Sequence, residues 1–359
     1  MADPPAASDL DLVQSAPRRF VLVTGAGRSG TSTMSGGLNY LGLHSPQPSL
    51  GANASNPRGF FEPKWAIDFH RRILERATVD TFDARPDAFD RVQAEITAKH
   101  EGEIVAWLTE ELRRAPQIVV KDPRSTWMPL LWESAASRLD TPTSFVAMLR
   151  HPAEVVGSRA TYYAKGDSLE VRRYQVLSVA RWVNASLITE RQTRGKTRAF
   201  VRYEDLLDDW RPVMRGIQQD FDLHLNTGIE MGARHEVDEF IDPALRRHQV
   251  TWADLDVPEA LRDIADDTWR LCSRIGERRG SDAEAENGLD ELSERYRSLF
   301  DDAVAIAHDV AAAEAKLARR KAVRKVRAAM QSEANDPSPA QGRAGLATRL
   351  LAGWTRAGR

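Results

Sequence analysis

Val21-Leu22-Val23-Thr24-Gly25-Ala26-Gly27-Arg28-Ser29-Gly30-Thr31-Ser32-Thr33 is the stretch that decides the fold. A β-branched run feeds into glycines, one basic residue and several hydroxyls, and a helical stretch, Met34 to Leu41, follows. Strand, tight glycine turn and helix N-terminus together make an anion site. The turn aims backbone N–H groups at one point and the helix dipole adds positive potential there. Arg28 contributes a fixed charge. The loop therefore predicts a bound phosphate or sulfate.

Three molecules can carry that group. Gly25-x-Gly27-x-x-Gly30 satisfies the dinucleotide pattern, which also needs a second strand ending in an acid about 20 residues on. The stretch after the helix, His44-Ser45-Pro46-Gln47-Pro48-Ser49 and on through Gly59, has no strand pattern, and no acid appears before Glu62. That argues against a nicotinamide enzyme. The spacing Gly25-x-x-x-x-Gly30 fits an ATP or GTP P-loop, but Thr31 stands where the lysine should be, so the β/γ-phosphates would lose their main charge partner. The third possibility keeps the cradle and changes the donor.

Two further segments bear on that choice. Phe145-Val146-Ala147-Met148-Leu149-Arg150 reads as a buried strand ended by His151-Pro152, and a helix follows with Ser158 eight residues after Arg150. An arginine offers a bidentate fork to a phosphate, and a serine hydroxyl on the helix reaches the same group. Val201-Arg202-Tyr203-Glu204-Asp205-Leu206 reads as a strand end.

Gly27-Arg28-Ser29-Gly30-Thr31-Ser32 resembles the 5′-phosphosulfate loop of sulfotransferases that use 3′-phosphoadenosine-5′-phosphosulfate (PAPS). The strand-Arg150-x-Pro152-helix-Ser158 segment is similar to that family's 3′-phosphate motif, and Tyr203-Glu204-Asp205 to its Tyr-Glu-Asp segment, whose tyrosine lies near the adenine. The resemblance spans roughly residues 20 to 250 and is to the bacterial and Golgi-like branch, with its Arg-Ser-Gly-Thr loop. It implies Gly27, Arg28, Ser29, Gly30, Thr31, Ser32, Arg150, Ser158 and Tyr203 as donor contacts, and no metal. Asp242 to His248 would supply late 3′-phosphate contacts, but the basic-Gly pattern of the cytosolic enzymes is missing there.

The chain has 359 residues, 50 basic against 52 acidic, a net charge of −2. No global basic field points to nucleic acid. One cysteine, Cys272, excludes an intramolecular disulfide and a cysteine metal cluster, and a cytoplasmic or other reducing location is expected. Met1 to Pro17 is acidic and Pro/Ala-rich, without the pattern of a signal peptide, and no run of about 20 apolar residues predicts a membrane span.

Strands are expected at Arg19–Thr24, Gln117–Lys121, Thr143–Leu149 and Thr197–Tyr203. Helices are expected at Ser32–Leu41, Trp65–Ala77, Ala88–Ala115 with a break near Glu101-Gly102, and Tyr174–Thr193. Alternating strands and helices imply an α/β fold, a P-loop-like parallel sheet flanked by helices. A disordered segment 1–17, an α/β domain 18–280, a long helix 281–330 and a basic amphipathic tail 331–359 complete the expected organisation. His44 to Gly59 and Ala77 to Ala115 are expected to shape the acceptor pocket.

Sulfuryl transfer needs a base and charge stabilisation. Gly59-Phe60-Phe61-Glu62 resembles the Gly-aromatic-aromatic-Glu segment of the bacterial branch, in which the glutamate is the base. Glu62 is therefore expected as base, with Phe60 and Phe61 lowering its dielectric. The competing role is a carboxylate complementing a helix dipole, since Pro63 follows. Lys121-Asp122-Pro123-Arg124 ends a strand, where ligand sites of open α/β sheets collect. Lys121 would stabilise developing charge, Arg124 would bind donor or an anionic acceptor, and Asp122 would orient either. The alternative is a turn with surface charges. His70 is expected on a solvated face beside Arg71 and Arg72, and His151 in a structural role.

Leu289, Leu292, Tyr296, Leu299, Ala303, Ile306, Val310, Ala313 and Leu317 form a helical seam that would pack back on the domain or join two copies. Lys316, Arg319, Arg320, Lys321, Arg324, Lys325 and Arg327 follow with no acid between Glu314 and Glu333. With Arg343, Arg349, Trp354 and Arg356 they describe a basic tail able to lie on an anionic membrane, such as the inner surface of the cell membrane, or simply to stay solvated. Three functions stand open on this reading: a PAPS-dependent sulfotransferase acting on a hydroxyl of a small molecule, lipid or carbohydrate; a small-molecule kinase using ATP–Mg; and a non-catalytic, membrane-associated nucleotide-binding scaffold.

Overall fold

Four strands build one sheet in the order β2-β1-β3-β4, every pairing parallel. The computed structural model describes residues 16–53, 56–163, 167–225, 234–242 and 250–334, with backbone alone for 159–163 and 329–334. The expected segments 1–17 and 331–359, the second basic piece and the late 3′-phosphate contacts therefore lie wholly or largely outside the described residues.

In chain order the elements are β1 (Arg19–Thr24), α1 (Thr31–Tyr40), α2 (Lys64–Ala77), α3 (Ala88–Glu95), α4 (Ala98–Arg114), β2 (Gln117–Lys121), α5 (Pro129–Ser137), β3 (Thr143–Leu149), α6 (Pro152–Tyr163) and α7 (Ser168–Thr193). There follow β4 (Arg198–Arg202), α8 (Tyr203–Asp208), α9 (Trp210–Asp220), α10 (Glu236–Phe240), α11 (Glu259–Glu277), α12 (Ala283–Ile306) and α13 (His308–Ala334). A 3₁₀ turn, Pro123–Trp127, follows β2.

Both faces of the sheet are covered, which is why its strands read as nearly unbroken apolar runs. Phe20, Leu22, Ile118, Val120 and Phe145 pack under α2, α4 and α5 on one face. Val21, Val23, Val119, Val146 and Met148 pack under α1, α8 and α9 on the other. Beyond Phe145, Ala147 and Leu149 join α6, α7, α11 and the first half of α12. Trp132 is fully buried in the first of these layers, stacked on Phe20 at 5.5 Å and edge-on to Trp107 at 5.7 Å.

Several expectations need correction. The break in the Ala88–Ala115 helix falls at Ile96-Thr97, where Thr97 and His100 form a reciprocal cap; Gly102 lies inside α4. Tyr203 opens helix α8 instead of closing the fourth strand. His70 is fully buried, because it lies on the inward face of α2 with Phe69 and Ile73 while Arg71 and Arg72 stay outside.

The chain divides into two units after Phe300. In the first, Leu289, Leu292 and Tyr296 are buried, and the Tyr296 hydroxyl donates to the Ala180 carbonyl (3.1 Å). In the second, Val304, Ile306, Val310 and Leu317 are exposed, and the expected seam is divided at Ala307 between α12 and α13. Among the described residues no helix is long and apolar enough to cross a membrane.

Replacing Trp132 with alanine would remove a large buried ring and its donor to His70. A loss of about 3–5 kcal/mol is expected in urea unfolding, the usual range for such truncations.

Candidate active site

Each parallel strand delivers its next residues to one edge of the sheet. β1 leads into the Gly25–Gly30 loop, β2 into Asp122-Pro123-Arg124, β3 into Arg150 and β4 into Tyr203. A cavity of about 630 Å³ opens there, within the usual range for small-molecule sites. Gly27, Arg28, Gly30, Thr31, Ser32, Glu62, Lys121, Arg124, Arg150, Ser158, Tyr203 and Phe60 all line it.

The loop is shaped by close approach. A Cβ on Gly25 (φ 125°) would stand 2.7 Å from the Met148 carbonyl, and one on Gly30 (φ 89°) 2.1 Å from the Tyr203 ring. Arg28 itself adopts φ 74°, a left-handed conformation that costs a bulky residue about 1–3 kcal/mol and that recurs at ligand loops. The first turn of α1 holds no acidic residue, and Gly30 supplies no side-chain cap, so its positive end faces the cavity undiminished. Ser29 does not line the cavity: its side chain is buried, with no hydrogen-bond partner for Oγ.

On the cavity lining, Arg28 meets two residues more than a hundred positions later in the chain. Arg28 Nε donates to Ser158 Oγ (3.2 Å), and Arg150 Nη1 donates to the Arg28 carbonyl (3.3 Å). Arg150 is buried, pairs with Glu154 at 3.0 Å, and lies 5.2 Å from the centre of the Tyr203 ring. Burial pushes the Tyr203 phenol above its ordinary range, with Thr33 hydrogen-bonded to it and the nearby arginines opposing the rise.

Glu62 and Lys121 form a second cluster on the lining. Both are nearly inaccessible and form an ion pair, and Lys121 Nζ also donates to Ser32 Oγ (3.2 Å). Arg124 Nη1 lies 4.0 Å from Glu62. Of the two expected aromatics, Phe60 lines the cavity; Phe61 takes φ 54° and packs edge-on against Phe240 at 5.5 Å, outside the lining.

Asp122 faces away from the cavity into the protein. It accepts from His70 Nδ1 (2.8 Å), the Arg124 backbone N–H (3.0 Å) and Arg124 Nη1 (2.8 Å). Trp132 Nε1–H donates to His70 Nε2 (2.8 Å). An indole N–H can only donate, so Nδ1 carries the His70 proton toward Asp122. Burial would raise the Asp122 pKa, but the His70 hydrogen bond and the Arg124 charge outweigh it and hold the carboxyl well below the usual range. Asp122 thus fixes Arg124 beside Glu62.

Arg58, Thr81 and Phe82 line the cavity from the two segments expected to shape the acceptor pocket, whereas Tyr174, Ser178, Arg181 and Phe240 escaped the sequence reading. Tyr174, Ser178 and Arg181 stand at i, i+4 and i+7 of α7, a helical face with a polar stripe that periodicity could have marked. The Ala77–Ala115 insertion contributes only Thr81 and Phe82 to the lining. Among the described residues no group of three or more His, Cys, Asp or Glu is placed to hold a metal ion.

No protein-family model matches the chain, and no curated protein matches it. Among the solved structures it is similar to are two sulfotransferase domains and a sulfotransferase. One is from the Synechococcus PCC 7002 olefin synthase, with 16% identity and a TM-score of 0.41, covering 72% of this chain and 95% of that one. Another is from the curacin biosynthetic pathway, with 15% identity, a TM-score of 0.37 and coverage of 72% and 99%. A third is a sulfotransferase from Mycobacterium tuberculosis H37Rv, with 16% identity, a TM-score of 0.37 and coverage of 73% and 78%.

A depressed carboxylate pKa stabilises the fold above the unfolded value and loses that contribution as pH falls through the folded one. Asp122→Asn is therefore expected to lower the urea midpoint at pH 7. The gap to wild type should persist down to about pH 4 and shrink only below it.

Proposed function

We propose that the protein transfers a sulfuryl group from PAPS to an acceptor hydroxyl, releasing 3′-phosphoadenosine-5′-phosphate (PAP). The observation that carries this reading is the convergence of Arg28, Arg150 and Ser158 on the lining of a cavity that also holds Glu62 and Lys121. Two arginines and a serine hydroxyl suit a dianionic phosphate, and a 3′-phosphate is what distinguishes PAPS from ATP. Tyr203 offers a flat surface beside them, which suits the nucleotide's base. The phosphosulfate would meet the loop from Gly27 to Ser32 and the open N-terminus of α1.

Catalysis in this reading is positioning plus charge stabilisation, as in phosphoryl transfer. The acceptor oxygen attacks sulfur in line while Glu62 takes its proton. The bond between sulfur and the bridging oxygen of the 5′-phosphate breaks, and the electron pair stays on that oxygen. Lys121, hydrogen-bonded to Ser32 of the loop, stands where it can neutralise that charge. Its contact with Glu62 links base and charge acceptor, so a proton reaching Glu62 releases Lys121 toward the leaving group. Arg124, fixed by Asp122, adds positive potential beside both.

A kinase reading would need a carboxylate for magnesium near the loop. Asp122 is committed to His70 and Arg124, which weighs against it.

PAP is expected to raise the melting temperature and ATP–Mg to leave it unchanged; Arg150→Ala should abolish the PAP shift. The reverse pattern of ligands would point to the kinase. Glu62→Gln is expected to keep PAP binding and to lower turnover of labelled PAPS by about 10²–10⁴-fold, the usual contribution of a general base. A fully active variant would remove Glu62 from that role.

A further inference from the structure

The cavity has more cations than the donor reading uses. Arg28, Lys121 and Arg150 serve the nucleotide and Arg124 the reacting centre, which leaves Arg58 and Arg181 on the same lining, where Glu62 is the one carboxylate among the described residues. Arg58 donates to the Glu239 carbonyl (2.8 Å) and lies 3.4 Å from Asp242, and Arg124 is held by Asp122. Arg181 is different. Its Nε is buried and makes no hydrogen bond. Its ion pair is with Asp80 at 3.3 Å, whose side chain is 75% exposed. A pair of that kind contributes about 0–1 kcal/mol, so it offers little resistance to a better partner.

The surroundings of Arg181 are fixed. Asn184 Nδ2, one turn on in α7, donates to the carbonyls of Asp83 (2.9 Å) and Arg85 (2.8 Å). Trp127 Nε1 donates to the Thr81 carbonyl (3.1 Å). The loop carrying Thr81 and Phe82 is thereby tied to α7 on one side and to the turn after β2 on the other. β2 lies at the sheet edge opposite β4; Arg124 follows β2, and the Phe82 loop and α7, which carries Arg181, are joined to the turn after β2 through the Thr81 and Asn184 hydrogen bonds. The expected nucleotide contacts Arg150 and Tyr203 follow β3 and β4. Glu62 and Lys121 stand at the β2 side of the loop, next to Arg124.

We infer that the acceptor carries a carboxylate or phosphate as well as the hydroxyl, and that Arg181 binds this anion while Ser178 and Tyr174 on the same face of α7 border it. The inference rests on the sulfuryl-transfer reading and specifies its acceptor class. A buried guanidinium N–H without an acceptor carries a desolvation cost that an incoming oxyanion removes. Phe60 and Phe82 give the carbon skeleton between hydroxyl and anion an apolar surface. Arg181 acts on binding and not on the transferring group, so its loss should appear in KM.

The test uses the whole protein and labelled PAPS. Extract from cells that carry the protein is divided by solvent partition and ion exchange into aqueous anionic, lipid anionic, neutral and cationic fractions, and each is offered with the donor. Label is expected to enter one of the two anionic fractions, and which one distinguishes a soluble acid from an anionic lipid. Arg181→Gln should raise the apparent KM for that fraction about 10-fold or more, with kcat and the PAP-induced thermal shift little changed. Transfer into the neutral or cationic fraction, or an Arg181→Gln enzyme with unchanged KM, overturns the inference while leaving sulfuryl transfer standing. PAP binding without transfer to any fraction overturns both together.

Discussion

An all-parallel sheet places every strand's carboxyl end on one edge, and in this protein each strand-to-helix junction there carries a charged or aromatic residue. The rest of the site depends on that constraint. Arg28, Lys121, Arg150 and Tyr203 come from four separate strand-to-helix junctions, yet they line one cavity because β1 to β4 run the same way. Binding sites of open α/β sheets collect at this edge for the same geometric reason. The helix after β1 adds its positive end to the same place.

Concentrating cations on one edge would be costly without local compensation. Three of them have a carboxylate close at hand: Arg150 has Glu154, Lys121 has Glu62 and Arg124 has Asp122. The compensation also aims the side chains. Asp122, anchored by His70 and through it by Trp132, holds the Arg124 guanidinium in place from within the protein. The chain of hydrogen bonds from Trp132 to Arg124 thus couples the hydrophobic layer beneath the sheet to the cavity above its edge. An incoming polyanion meets cations already oriented, and little reorganisation is needed to bind it.

The charged groups of the cavity differ in how firmly they are held. Glu62 and Lys121 are deeply buried, and removing either partner would leave an uncompensated charge, which typically costs about 3–5 kcal/mol. Arg181 has a water-exposed carboxylate as its ion-pair partner and keeps a donor in reserve. Under the proposed reaction, firm positioning would fall near the reacting atoms and looser positioning where the acceptor would enter.

Local pattern determined much of this. The strand runs, the glycine loop with Arg28, and the arginine and serine flanking Pro152 are each legible because strand sterics, positive φ and phosphate geometry restrict residue choice within a short window. The four parallel strands were expected within a residue or so of their observed limits, and so were the first two helices after β1, whereas α7 begins six residues before the expected Tyr174. What the window could not contain, only tertiary packing decided. Phe60 and Phe61 are adjacent and alike, yet a backbone turn at Phe61 sends one ring to the cavity and the other to Phe240. His70 sits between charged neighbours and is buried all the same, because its partner Asp122 lies 52 residues away. Arg181 reaches the cavity only because α7 is docked on a loop about a hundred residues earlier in the chain, joined through Asn184. Covalent neighbours constrain backbone conformation; which side chains share a cavity depends on how the sheet and its helices are assembled.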